Sequence, residues 1–344
     1  MTDGAALQVQ DDNEQHTSLT VASQKHIGVN FTTAELTMQL DDFAERVLKP
    51  RISQLASSID ADVANAYNSI FQSVGTPGTT PATSLVLLQA QQKLNESAAV
   101  MTPRYATVNP AANAALVEGM KGLFNPTSTI SRQFKNGMMG EGILGLEEVN
   151  MSQSIKQHTT GTRTGAHTVT TTVSTQGAST IAITGTGTQT LKRGDVFTIA
   201  NVFAVNPQTR ESTGSLQQFV VTEDNTAAGG AYTGVKISPA IYTSSNALAT
   251  VDSFPQSGAA ITFVGAASTQ YPQNLVYHKD AITFATADLL LPQGVDMASR
   301  QVHNGISMRI VRQYDINNDR MPCRIDVLYG YGVIRPQMAC RIWG

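Results

Sequence analysis

One long apolar stripe constrains this chain more than any other feature of its sequence. Between Asp41 and Val74, apolar residues recur at intervals of three to five positions, and the residues between them are polar. This spacing predicts an amphipathic helix that starts at an aspartate and stops before Gly75 and Pro77. At about 1.5 Å per residue it would be about 50 Å long, with Pro50 either bending it or opening a second segment. Such a helix indicates a strut on which other elements pack.

The composition narrows the possible functions. The 344 residues, enough for two domains or for one with an insertion, carry a net charge of -3 and no basic tract, which gives no reason to expect binding to nucleic acid or to an acidic membrane. Cys323 and Cys340 are too few for a disulfide framework, so we expect buried free thiols in a reducing compartment. The absence of a signal-peptide pattern and of an apolar run of about 20 residues predicts synthesis in the cytoplasm without a membrane span.

Residues 1–33 predict a two-stranded ribbon. Two weakly alternating runs, 7–9 and 17–21, flank the polar tip 11–14. An isolated ribbon is marginal in water, so we expect it to lie against a neighbouring domain or subunit. Because Met1 falls within this pattern, the sequence predicts a chain that starts partway along the ribbon.

The region that follows the long helix mixes helices and strands. The predicted elements are a helix over 84–99, a strand over 104–108, a turn at 109–110, a helix over 111–124, a glycine-rich mobile loop over 125–145 and a strand over 146–154. Further strands are predicted over 275–284, 306–314, 323–334 and 339–343, with turns at 292–294 and 317–318. These elements predict an α+β domain.

The composition changes near Gly161. From His167 to Ala266, short runs of Thr, Val, Ile and Phe alternate with Gly, Asn, Ser and Pro, and no helical pattern is present. Six or so strands at this spacing predict a compact antiparallel barrel or sandwich that folds by itself. The chain is therefore predicted to be one α+β domain interrupted by an inserted β domain.

The sequence contains imitations of functional motifs, and each has a simpler structural explanation. Residues 185–187 begin a phosphate-binding glycine motif that lacks its third glycine, and their position between strands favours a hairpin turn. Arg193-Gly194-Asp195 looks like an adhesion tripeptide, but a turn between strands is the favoured interpretation. The spaced set Asp315, Asn317, Asp319 and Asp326 imitates a calcium loop, yet Arg320 occupies the position that requires glycine. No catalytic, cofactor-binding or metal-binding residue is predicted.

Three stretches carry a resemblance to a known family. They are LKRGDVFTIANVFAVNPQTRESTGSLQQFVVTED (191–224), NLVYHKDAITFATADLLLP (274–292) and CRIDVLYGYGVIRPQMACRI (323–342). Together with the order of the predicted elements, they resemble the major capsid proteins of tailed bacteriophages, which have the Hong Kong 97-like fold. More narrowly, they are similar to the coat proteins of short-tailed lambdoid phages that carry an extra inserted domain.

The resemblance implies a domain organisation and a function. The implied parts are a truncated extended ribbon (1–33), the spine helix of a peripheral domain (34–74), an axial domain (75–166 and 267–304), an inserted β-barrel domain (167–266) and closing strands of the peripheral domain (305–344). The implied protein is structural and not an enzyme. It would be made in the bacterial cytoplasm and would self-assemble, as hexamers and pentamers, into the icosahedral shell around packaged DNA. Its implied partners are copies of itself, a scaffolding protein and a portal, without cofactor, membrane or sequence-specific nucleic acid.

Charged residues at the tip of the predicted ribbon and near the start of the predicted helix are candidate contacts between subunits. They are Asp11, Asp12, Asp42, Glu45, Arg46, Lys49 and Arg51. A solvated face explains them equally well, because exposed ion pairs contribute roughly 0–1 kcal/mol each. Two other classes of function stay open. One is a carbohydrate-binding or adhesin-like module in 167–266, although its aromatic residues fall within strand patterns, and the other is a hydrolase with a site assembled from distant residues.

Overall fold

The computed structural model of the chain describes residues 17–32, 49–120, 137, 139–303 and 305–344. Its described helices are α1 (Lys49–Val63), α2 (Ser84–Glu96) and α3 (Pro110–Gly119), with 3-10 turns at Ala64–Ser69 and Pro336–Met338. The described strands are β1 (Ser23–Val29), β2 (Ser73–Val74), β3 (Arg104–Val108), β4 (Gly140–Ile143), β5 (Leu146–Met151), β6 (Gln157–Thr159), β7 (His167–Val169), β8 (Ala178–Thr184), β9 (Thr190–Leu191), β10 (Val196–Val205), β11 (Ser212–Val221), β12 (Asn225–Thr226), β13 (Ala231–Ile241), β14 (Ala260–Phe263), β15 (Gln270–His278), β16 (Ile282–Ala287), β17 (Met297–His303), β18 (Ile306–Arg312), β19 (Cys323–Val333) and β20 (Ala339–Trp343).

A five-stranded sheet packs against α1, and we call it the α1 sheet. Its strand order is β1-β19-β18-β17, and β16 pairs with the second half of β19. Alternate residues of β19, including Ile325 and Val327, form a core with Leu55 and Ile59 of α1. Because successive side chains of a strand point to opposite faces, the residues between them face away from the helix. The α1 sheet therefore has one face that is covered by α1 and a second face that is turned away from it.

A seven-stranded sheet forms the centre of the molecule. Its order is β2-β20-β15-β3-β5-β4, and β6 pairs with β15. Leu87 and Leu94 of α2 and Leu116 of α3 pack in one core with Val276 and Ile342 of the sheet. Every residue of β20 is buried, as expected for a strand covered on both faces. We call this the central sheet.

The inserted segment folds into a closed barrel with the strand order β10-β11-β13-β8-β7-β14. Phe197, Phe219 and Tyr232 are fully buried in its core. The strands that lead into and out of the barrel are themselves paired, since Thr159 of β6 lies opposite Gln270 of β15. This pairing brings the two connections together, which is how a barrel can be inserted into a domain without disrupting its sheet.

The long helix is shorter than predicted. Its described part ends at Val63, the chain tightens into a 3-10 turn, and Ile70 is already extended. At 15 residues α1 is about 22 Å long, and residues 41–48 lie outside the described residues. The apolar stripe continues past the end of the helix because Tyr67 and Ile70 are also buried, but in the core of the central sheet. The apolar residues therefore keep their spacing beyond the helix, but they pack on the central sheet and no longer on the α1 sheet.

The N-terminal ribbon also differs from the prediction. The strand lies at Ser23–Val29 and pairs along its whole length with β19 of the same chain, whereas residues 17–21 form no strand. The predicted first strand and tip, residues 7–14, lie outside the described residues. The described part of the predicted ribbon is therefore a strand of the α1 sheet, since pairing with β19 satisfies backbone groups that an isolated ribbon leaves exposed.

Predictions based on local signals were more accurate. Strand β3 has the predicted bounds, and the helix after it begins at Pro110 with Asn109 as its N-cap, whose Oδ1 accepts a hydrogen bond from the Ala112 amide at 2.9 Å. Both cysteines are buried and unpaired. In contrast, the predicted mobile loop contains strand β4 and the fully buried Met139, because Met139 packs in the core of the central sheet. The single predicted strand over 275–284 is two strands, β15 and β16, in different sheets.

Three strands lie in a different sheet from the one that the predicted domain segments imply. Strands β16 and β17, predicted to group with 75–166, pair within the α1 sheet, and β20 pairs within the central sheet although it follows β19. No helix among the described residues combines the length and the hydropathy needed to cross a membrane.

Candidate functional site

Of the seven predicted contact residues, the structure describes two. Lys49 and Arg51 lie in the first turn of α1, and both are exposed. Asp11, Asp12, Asp42, Glu45 and Arg46 lie outside the described residues. The arrangement of the predicted set therefore stays a prediction, and the surfaces that the structure describes are considered from their own geometry.

The turn 192–195 is one point where the barrel is anchored to the rest of the chain. The Asp195 carboxylate is fully buried and accepts hydrogen bonds from His158 Nε2 at 3.0 Å and from the Lys192 amide at 2.9 Å. The Gly161 amide donates to it at 3.2 Å, and a guanidinium nitrogen of Arg163 lies 3.7 Å away. Because an adhesion motif has to present its aspartate to a receptor, this burial identifies 193–195 as a structural turn.

Gly194 in the same turn has no room for a side chain. Its φ is +98°, and a Cβ would approach Asn68 Oδ1 to 2.4 Å. Its carbonyl oxygen accepts a hydrogen bond of 3.0 Å from Arg341 Nη1. Arg341 is fully buried, with its guanidinium 5.3 Å from the ring of Trp343. Burial lowers the pKa of Arg341 to about 10, since a guanidinium loses hydration inside the protein.

A second contact between the barrel and the central domain borders a groove of about 510 Å³. Lys93 of α2 donates to Ser215 Oγ of the barrel at 3.1 Å and also pairs with Glu96 at 3.6 Å. Leu216 and Leu248 contribute apolar side chains to the groove. Apart from Lys93 and Glu96, the groove is lined by uncharged residues, and its lining contains no Cys or His. The Ser97 hydroxyl in this lining donates to the Lys93 carbonyl oxygen at 3.0 Å, so it is not paired with a general base as the hydrolase alternative requires.

The acidic residues that imitate a calcium loop do not converge. Asp326 lies fully buried within β19 between Arg309 and Arg324, whereas Asp315 accepts hydrogen bonds from the Asn317 amide and the Asn318 side chain in the loop before β19. Within the described part of the chain, no group of three or more His, Cys, Asp or Glu side chains could hold a metal ion.

The barrel exposes no aromatic platform for a sugar. Its Phe and Tyr side chains are all buried or half-buried, and Phe197, Phe219 and Tyr232 are inside the core. Carbohydrate sites rely on exposed aromatic faces, so the alternative of a carbohydrate-binding module has no surface to support it.

The chain thus combines an α+β body with a closed barrel, and buried polar and charged groups join the two. The family model described as "P22 coat protein - gene protein 5" matches residues 2–344. The chain belongs to the P22 coat protein family. It is the major capsid protein of a tailed phage and a component of the virion, in a family of structural proteins.

Individual relatives are distant. The "Major capsid protein" of Acyrthosiphon pisum secondary endosymbiont phage 1 is 24% identical over 92% of this chain and 79% of the relative. A structure from Mycobacterium phage Che8 is 11% identical and covers 94% of this chain and 71% of its own, with a TM-score of 0.46. The capsid structure of the cyanophage P-SCSP1u is 12% identical and covers 98% of this chain and 80% of its own, with a TM-score of 0.44.

Proposed function

We propose that this major capsid protein builds a closed icosahedral head shell around packaged DNA and that its body has the Hong Kong 97-like arrangement. The match of the family model to residues 2–344 is the observation that carries this proposal. A shell subunit requires no catalytic constellation, because its function lies in modest contacts repeated by symmetry. Interfaces of about 1,200–2,000 Å², several per subunit, make a closed shell far more stable than any one pair.

The sheets support an assignment of domains. The α1 sheet with α1 is proposed as the peripheral domain, the central sheet with α2 and α3 as the axial domain, and residues 167–266 as the inserted barrel. This assignment places β16 and β17 in the peripheral domain because they pair within the α1 sheet. Hexamers and pentamers of the chain, a scaffolding protein and a portal are the proposed partners, and the host cytoplasm is the proposed place of synthesis.

Expression of the chain in bacteria, alone and together with the scaffolding protein of its phage, tests the shell function. Electron microscopy of the purified material is expected to show closed shells in at least one of the two preparations. Irregular aggregates or unassembled subunits in both preparations contradict the proposal.

The charged start of α1 is proposed as an inter-subunit contact. We expect Arg51→Glu, like Arg46→Glu, to reduce shell yield while leaving the melting temperature of the unassembled subunit nearly unchanged, because exposed charges contribute roughly 0–1 kcal/mol to folding. Arg51→Lys keeps the charge and is the matched control. Equal loss of yield and of melting temperature in Arg51→Glu contradicts an interface role.

A further inference from the structure

A loop between the α1 sheet strands β16 and β17 exposes large apolar side chains. We call residues 288–291 the leucine loop. Leu290 is 86% exposed and Leu291 is 44% exposed. On the neighbouring strand β17, Val302 is 57% exposed. Adjacent exposed apolar side chains of this size mark interaction sites more often than isolated ones.

The leucine loop is held in place by two arginines of the sheet beneath it. Arg309 Nη1 donates to the Leu290 carbonyl oxygen at 2.6 Å, and Arg300 Nη1 donates to the Leu289 carbonyl oxygen at 3.4 Å. The Arg300 guanidinium also lies 3.3 Å from the Asp288 carboxylate. These contacts hold the backbone of the loop that carries the exposed leucines. A preorganised surface loses less conformational entropy when it binds.

The loop lies on the face of the α1 sheet that is turned away from α1. Arg300, Arg309 and Asp326 are directly opposite one another on β17, β18 and β19, so their side chains share one face. The adjacent residues Ile310 and Ile325 pack toward α1. Val302, two positions after Arg300, therefore points to the same side as the loop. The apolar residues and the arginines together form one surface, which we call the outer face.

The charges at the outer face and its edge are paired within the subunit. Three arginines are involved, with the ion pairs Arg300–Asp288 (3.3 Å), Arg309–Asp326 (2.7 Å) and Arg324–Asp326 (2.6 Å). Three arginines stand against two aspartates, so the surface is close to neutral. A surface of one strong sign would repel an identical surface, whereas a nearly balanced apolar surface can meet its own copy.

The position of β17 also favours a contact with another copy of the chain. It is at the end of the strand order of the α1 sheet within the described residues, and its seven residues are mostly exposed. An open edge of this kind is prone to associate with other chains unless another surface covers it. In an assembled shell, a neighbouring copy can cover this edge.

We propose that the outer face, with Leu290 at its centre, is a contact in which copies of this chain meet through the same surface around a symmetry axis. This inference rests on the shell function and adds to it the surface that is used. Leu290 and Leu291 of each copy pack on Leu290, Leu291 and Val302 of the next. The internal ion pairs remain intact and exclude water at the rim of the contact.

Cysteine crosslinking tests this self-contact directly. A single cysteine at position 290 can form a disulfide with another copy only if the two positions are close, which a symmetric self-contact requires. The native Cys323 and Cys340 are buried, and burial raises the pKa of Cys340 to about 12, so they contribute little background. Leu85 of α2 is 58% exposed and supplies the matched control.

In oxidised purified particles, we expect Leu290→Cys to give mainly disulfide-linked dimers and Leu85→Cys to stay monomeric on denaturing gels. Equal crosslinking at both positions, or none at 290, overturns the proposal. If wild-type particles do not form, the shell function itself fails. In that case the Leu290→Cys chain is oxidised at high concentration without assembly. If no disulfide-linked dimer forms there, the self-contact is overturned independently of the shell function.

A pair of substitutions provides an independent measurement. We expect Leu290→Asp to lower particle yield about tenfold or more, because a carboxylate is costly to bury in an apolar contact. Leu290→Met keeps the apolar character and should assemble normally. Both variants should retain the melting temperature of the unassembled subunit, since residue 290 is exposed. A normal particle yield for Leu290→Asp contradicts the proposal. A reduced yield together with no disulfide crosslink at position 290 would mean that the loop contacts a different partner, which also overturns the proposal.

Discussion

Two buried aspartates in this protein have the same type of partner and different roles. Asp195 in the barrel turn and Asp326 in the α1 sheet are both fully buried, and each carboxylate lies beside basic side chains. The partners of Asp195, His158 and Arg163, are themselves buried. The partner Arg324 of Asp326 keeps about half of its side chain in water, at 49% exposure. The first carboxylate therefore joins two parts of the interior, whereas the second organises a surface.

This difference has an energetic consequence. Removing one member of a buried ion pair leaves the other charge without compensation, which costs about 3–5 kcal/mol. A charge that can reach water regains much of its hydration, so the loss is smaller. Substitutions that remove the charge but keep the shape should therefore separate the two aspartates.

The largest effect is expected at the barrel turn. Asp195→Asn should lower the free energy of unfolding by about 3–5 kcal/mol, because Arg163 is left buried without its carboxylate. The measurement is urea denaturation of the unassembled subunit. Glu223→Gln is the matched control, since Glu223 forms an exposed pair with Lys236 at 2.6 Å and should cost roughly 0–1 kcal/mol. Similar losses in the two variants would show that the buried cluster contributes no more than a surface pair.

A somewhat smaller effect is expected at Gly194. Gly194→Ala places a Cβ 2.4 Å from Asn68 Oδ1 at a φ of +98°, so it combines backbone strain with overpacking. Gly187 also has a positive φ, +62°, but a Cβ there meets no atom within 4 Å, so Gly187→Ala measures the strain alone. We expect about 1–2 kcal/mol for Gly187→Ala and a further 1–3 kcal/mol, approximately, for Gly194→Ala. Thermal unfolding of both variants gives the comparison, and equal costs would contradict a close fit of the turn.

The barrel turn also shows how far the sequence alone can predict this structure. The turn at 193–195 and the barrel strands follow from local alternation and from Gly and Asn positions. The partners of the turn do not, because His158 and Arg341 lie 37 and 147 positions from the residues they contact. Charge and composition carry no signal for such distant pairing, so the buried cluster was missed.

The helix and the outer face were missed for different physical reasons. Tyr67 and Ile70 keep the apolar spacing of α1 while they pack in another core, so periodicity extended the helix too far. Strand β17 was not predicted because it is exposed along most of its length and lacks the alternation that a buried face imposes. The capsid family was recognised from the residues of three stretches, and the family model confirms it.

The smallest effect is expected at Asp326, and it depends on pH. Burial opposes ionisation of Asp326, but the hydrogen bonds from Arg309 and Arg324 outweigh it and lower the pKa of this carboxyl below its usual range. A lowered native pKa contributes stability that is fully present above the unfolded pKa of about 3.9 and is lost as the pH falls through the native value. Asp326→Asn should therefore cost about 1–3 kcal/mol near neutral pH.

The cost of Asp326→Asn should shrink as the pH falls below about 4, because the carboxyl is protonated first in the unfolded chain and in the folded protein only at lower pH. Urea denaturation of wild type and variant across this range measures the difference. Asp288→Asn on the same outer face is the control, because its pair with Arg300 is exposed and should change stability by roughly 0–1 kcal/mol at any pH. A pH-independent cost at Asp326 would mean that its carboxylate contributes through shape and packing, in which case the outer face would be organised by Arg309 and the loop carbonyls without it.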